Sequence, residues 1–68
     1  MKLSARNQIS GTIAAITPGA VNGIVKVDIG GGNVVTASIT EGAIHDLELA
    51  IGDNVTVVVK ASDVLIGK

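Results

Sequence analysis

Ser4, Arg6, Asn7 and Gln8 place a hydroxyl, a guanidinium and two carboxamides within a few positions, with no carboxylate among them. Near the other end, Lys60 and Ser62 add an ammonium and a second hydroxyl. A guanidinium presents a planar fork of N–H donors, an ammonium presents three, and neither accepts a hydrogen bond. A pocket built mostly of donors suits a fully deprotonated oxyanion, because such an anion only accepts. Hydrogen bonds of this charge-assisted kind are roughly twice as strong as neutral ones. The chain carries five Lys and Arg in all, so the presence of Arg6 and Lys60 in these segments asks for a reason. Each segment also has an ordinary reading. Arg6 and Asn7 read equally as a solvated lead into a strand. Lys60 reads as a strand end whose ammonium snorkels to water, and Ser62-Asp63 as a turn. Convergence in space is what would turn two weak signals into one site.

The elements that must position these groups follow a period of two and are rich in β-branched residues. Over Gln8 to Ile16, Ile9, Gly11, Ile13 and Ala15 alternate with Ser10, Thr12, Ala14 and Ile16. Thr17-Pro18-Gly19 is a turn signal. A second strand is expected over about Ala20 to Ile29, with Val25, Val27 and Ile29 inward and Lys26 and Asp28 outward. Gly30-Gly31-Gly32-Asn33 closes a hairpin into a third strand, Val34 to Ile39, where Val35, Ala37 and Ile39 share a face. The period then changes. Thr40 reads as an N-cap, Glu41 favours a first turn, and Ala43, Ile44 and Leu47 stand at helical spacing, which predicts a helix at Glu41 to Leu47. Asn54 to Lys60 predicts a fourth strand and Val64 to Ile66 a short fifth. The expected fold is all-β: a small five-stranded OB-like Greek-key barrel with one short helix between strands 3 and 4, forming a single domain over residues 1–68.

Composition removes several classes of function. There is no Phe, Tyr or Trp, and therefore no platform on which bases or cations could stack. A net charge of −1 lacks the basic footprint of a nucleic-acid binder. No apolar run has the length of a membrane span, and the first residues lack the apolar core of a signal peptide, so the expected location is cytoplasmic. With no cysteine and one histidine, His45, neither disulfides nor a Cys/His zinc site can reinforce a core that is marginal at 68 residues. Yet 47% of the residues are hydrophobic and only 16% are charged. Association is the remaining route to stability, and a homo-oligomer is expected.

Ser4-Ala5-Arg6-Asn7-Gln8 followed by Gly11, then Gly19-Ala20-Val21-Asn22, the Gly-Gly-Asn hairpin at 31–33, and Lys60-Ala61-Ser62-Asp63-Val64 together resemble the molbindin (Mop) family of TOBE-type domains. The same module occurs as the molybdate-binding domain of molybdate-responsive regulators and of molybdate-transporter ATPases. The resemblance covers essentially the whole chain. It implies binding of molybdate or tungstate, an OB-like barrel, hexamers built from dimers, and anion sites between subunits. Carried over by position, it implies one site of Ser4, Arg6, Lys60 and Ser62 with the backbone N–H groups of Ala5 and Ala61. A second class of site, near a threefold axis, would fall on Ala20, Val21 and Asn22, which bring no charge of their own.

The chemistry agrees with that ligand. Molybdate is a tetrahedral dianion at neutral pH, whereas phosphate retains a proton there and would want an acceptor in its pocket. Asp63 is the one acidic group in the two segments, and it is expected to point away and cap a turn. The other candidates are weaker. Gly30-Gly31-Gly32 lacks the spacing of a phosphate-binding loop, since position 35 is Val35. His45 has no nucleophile or second histidine to work with, and Asp46 and Glu48 read as a solvated face. No nucleophile, base and orienting group can be assembled from these residues, so an enzyme is not expected. The leading expectation is a molybdate/tungstate storage or homeostasis protein. An OB-type nucleic-acid module or a purely structural oligomerisation domain are the alternatives.

Overall fold

A computed structural model describes all 68 residues. Four strands run over Asn7–Thr17 (β1), Asn22–Gly30 (β2), Asn33–Thr40 (β3) and Asn54–Val59 (β4), and a helix, Glu41–Asp46 (α1), lies between β3 and β4. They form one antiparallel sheet in the order β3-β2-β1-β4. The long β1 changes partner halfway. Asn7–Thr12 pairs with β4, and Thr12–Thr17 pairs with β2. A strand shared in this way makes the sheet curl. Gly11 stands at the change-over, where a Cβ would lie 2.5 Å from Val27 Cγ1 and 2.7 Å from the Asp28 carbonyl oxygen. Only glycine lets β1 pass β2 at that distance.

The inner face of the curl holds Ile13, Val25, Val27 and Ile44, with Ile16, Ile29, Ile39, Leu49, Val55 and Val57 packed around them. Alternation in β2, β3 and β4 runs as the sequence predicts. In β1 it does not persist to the end. The register slips between Ile13 and Ala15, so Ala15 faces Lys26 and Ile16 faces Val25. This bulge exchanges the faces beyond Ile13, bringing Ile16 to the core instead of Ala15.

The β2–β3 hairpin turns on Gly31 and Gly32, with φ of 63° and 79°, the paired positive angles that a tight hairpin demands. Thr40 Oγ1 accepts the Ala43 N–H at 3.0 Å and caps α1 as expected. Ile44 is the helix's buried residue and seats on Gly23, where a Cβ would meet Ile44 Cδ1 at 2.6 Å.

The expected fifth strand is absent from the chain. After β4, bonds from Asp63 N to Lys60 O (2.9 Å) and from Val64 N to Ala61 O (3.3 Å) close a 3-10 turn over Ala61–Asp63 and lead the backbone off the sheet. Val64–Ile66 then has no strand to pair with, and Leu65 and Ile66 are each 90% exposed. The chain is therefore a curled four-stranded sheet with open edges at β3 and β4, and not a closed five-stranded barrel. No helix is long and apolar enough to cross a membrane.

Candidate functional site

The β1–β4 ladder begins with Asn7 opposite Val59. In an antiparallel pair the next residues outward are Arg6 on one side and Lys60 on the other. Head and tail of one chain thus arrive at the same end of the same sheet, 54 positions apart in sequence (60 − 6). The cause is the valine alternation of β4, which fixes its register against β1 because a slip of one residue would turn Val55 and Val57 out of the core.

Ser4, Arg6, Lys60 and Ser62 are exposed, and Ala5 between the first two is buried at 9%. The methyl group of Ala5 holds the head down on the sheet while its neighbours stay in water. On the tail side, Lys60 keeps an extended backbone (φ −65°, ψ 140°) before the 3-10 turn. That turn's own bonds are donated by Asp63 and Val64, so the N–H groups of Ala61 and Ser62 lie outside them. Asp63 caps nothing, contrary to expectation, since the turn closes through backbone bonds alone.

Ala20, Val21 and Asn22 are placed elsewhere. Ala20 and Val21 lie in the β1–β2 connection and Asn22 opens β2, at the opposite end of β1 from Arg6. Val21 is 73% exposed. This connection is fastened to α1, with Gly19 N–H donating to Glu41 Oε1 at 2.7 Å and Glu41 N–H donating to the Val21 carbonyl at 2.8 Å. A carboxylate therefore stands against the second segment and none of the sequence signals announces it, because Glu41 is 22 positions away from Gly19.

One concavity, an open depression of about 750 Å³, lies where β1 and β2 part, lined by Ser10, Thr12, Asp28, Asn54 and Thr56 among others. It lies further along the same β1–β4 ladder, from Ser10 and Thr56 onward, does not include Arg6 or Lys60, and holds a carboxylate, Asp28, whose Oδ1 already accepts the Gly30 N–H at 2.8 Å. A carboxylate in this depression opposes an anion, whereas the head–tail junction carries two cationic residues, Arg6 and Lys60. No cluster of three or more His, Cys, Asp and Glu side chains gathers to hold a metal cation.

A family model described as the TOBE domain matches residues 3–66. The chain belongs to the TOBE domain family. This TOBE domain is 43% identical over 67 residues to a probable molybdenum-pterin-binding protein of Haemophilus influenzae, a match that covers 98% of the chain and 97% of that protein. Its backbone follows that of a molybdate-binding protein from Sporomusa ovata with a TM-score of 0.93 and 37% identity, over the full length of both. It also follows ModG, described as a cytoplasmic molybdate-binding protein, with a TM-score of 0.91 and 40% identity, covering 96% of the TOBE domain and 46% of ModG. The molbindin resemblance carried by the head and tail motifs is borne out at the level of family and fold.

Proposed function

We propose that this chain binds molybdate or tungstate at the head–tail junction and serves as a cytoplasmic store or buffer for the oxyanion, without catalysis. One observation carries the reading: the β1–β4 register makes Arg6 and Lys60 the next residues beyond one ladder pair. Ser4 and Ser62 bring hydroxyl donors beside them, and Ala5 and Ala61 bring backbone N–H groups. Relatives that match over nearly their whole length bind molybdate or are described as molybdenum-pterin-binding, which supports the ligand class.

In the lone protomer both cations are exposed, and charges left in water attract weakly. A second copy laid against the junction excludes that water and completes the socket between subunits. The same assembly covers the apolar tail, and an open edge of a neighbour gives Val64–Ile66 the partner strand that its own sheet lacks. A hexamer built as a trimer of dimers, the assembly the family resemblance implies, is our reading of the oligomer. The segment Ala20–Asn22 is a second, weaker class of site, because the Glu41 carboxylate beside it opposes a dianion.

Isothermal titration with molybdate, tungstate and sulfate tests the proposal. We expect saturable heats with the first two and much weaker binding of sulfate. Equal affinity for sulfate, or no heat with any of them, removes it. The exposed tail also fits a purely structural assembly domain, and thermal stability separates the two: an anion at 100 times its dissociation constant adds about 2.7 kcal/mol, and a structural domain gains nothing.

A further inference from the structure

Asn7 and Gln8 are missing from the donor set assigned above, and their hydrogen bonds explain why they stand in the head segment. Asn7 Nδ2 donates to the Val59 carbonyl at 3.1 Å, and Gln8 Nε2 donates to the Ala5 carbonyl at 3.2 Å. A carbonyl and the N–H that follows it belong to one rigid planar unit. The Val59 carbonyl lies in the peptide that leads into Lys60. The Ala5 carbonyl lies in the peptide that leads into Arg6. Each carboxamide therefore grips the peptide plane from which one of the two cationic residues emerges. The chain's other side-chain hydrogen bonds fasten turns or cap the helix, and only these two converge on the head–tail junction.

We infer that Asn7 and Gln8 are positioning residues of the oxyanion site, with Asn7 acting through Lys60 and Gln8 acting through Arg6. The inference rests on the head–tail reading of that site. Arg6 and Lys60 stand just outside the last ladder pair, where a strand end frays unless something ties it down. A rotation of either peptide plane carries its charge away from the anion. An amide is the group the geometry demands. A carboxylate at either position would set an acceptor against a carbonyl and put negative charge beside a dianion.

A crossed set of double variants tests this, read by molybdate titration at low ionic strength together with the melting temperature of the anion-free protein. Asn7→Ala and Gln8→Ala should each weaken binding about fivefold, the value of one neutral hydrogen bond. On a Lys60→Ala background, Asn7→Ala should add less than about twofold while Gln8→Ala keeps its full cost; on an Arg6→Ala background the roles should exchange. Asn7→Leu and Gln8→Met, which keep size and add no charge, repeat the comparison should the alanine variants fold poorly. Losses that add equally on both backgrounds mark direct contact or general loosening and overturn the inference, as does the absence of any loss. Unchanged affinity in the single variants Arg6→Ala and Lys60→Ala removes the head–tail site itself, and the inference with it.

Discussion

At the scale of the residue, a guanidinium offers an anion what an ammonium does not. Arg6 presents coplanar donors that can meet two oxygens of one tetrahedral anion, whereas Lys60 is a mobile point charge. The two are therefore not interchangeable. Arg6→Lys should keep the charge and lose the fork, weakening molybdate about tenfold, and Arg6→Ala should weaken it by about 10- to 100-fold, the range of a lost hydrogen bond to a charged group. Titration calorimetry on the two variants checks the order. Equal affinity in Arg6→Lys and the natural protein would reduce Arg6 to a source of general positive charge. The carboxamides beside it show a limit of reading residue types alone. In sequence they counted among the donors, and in the fold their N–H groups are given to protein carbonyls.

At the scale of the element, the short helix α1 carries more than its six residues suggest. Through Ile44 it closes one end of the core, and through Glu41 it fastens the β1–β2 connection. Thr40→Ala removes the cap and should cost about 1 kcal/mol in urea unfolding of the anion-free protein. Gly23→Ala should cost about 1–3 kcal/mol, since the added methyl meets Ile44 Cδ1 at 2.6 Å and Glu41 Oε1 at 2.8 Å. A stability within experimental error of the natural protein would mean that α1 moves aside freely. The bulge in β1 belongs to this scale too. Gln8 to Ile16 reads as one unbroken alternation, and nothing local marks Ala14 as the residue that the ladder passes over. The slip arises because β1 must serve β4 with one half and β2 with the other, a demand set by partners distant in sequence.

At the scale of the whole molecule, the single chain buries few side chains: Ala5, Ile13, Val25, Val27 and Ile44 form its buried apolar set. A core of that size is marginal, and Val21, Leu47, Ile51, Leu65 and Ile66 remain largely in water. Association should therefore stabilise the fold, and the melting temperature should rise with protein concentration. Leu65→Asp or Ile66→Asp should shift the sedimentation coefficient towards that of the protomer. An assembly that survives both substitutions would place its interface elsewhere. If the socket is completed between subunits as proposed, molybdate should raise the melting temperature of the natural protein and should do so less in those two variants.

Much of the architecture follows from local chemistry and was readable in the chain. Valines two apart, glycines between strands, and Thr40-Glu41 ahead of a helical spacing each act over a few residues, so strands, hairpin and helix lie close to where the pattern puts them. The donor-rich character of the head and tail is likewise a property of the residues themselves. Register is not local. That Arg6 and Lys60 flank one ladder pair, that a carboxylate stands against Ala20–Asn22, and that Val64–Ile66 finds no partner strand in the chain are consequences of which segments lie side by side. Spacing along a chain carries no record of such neighbours, because they are chosen by the burial of one common face.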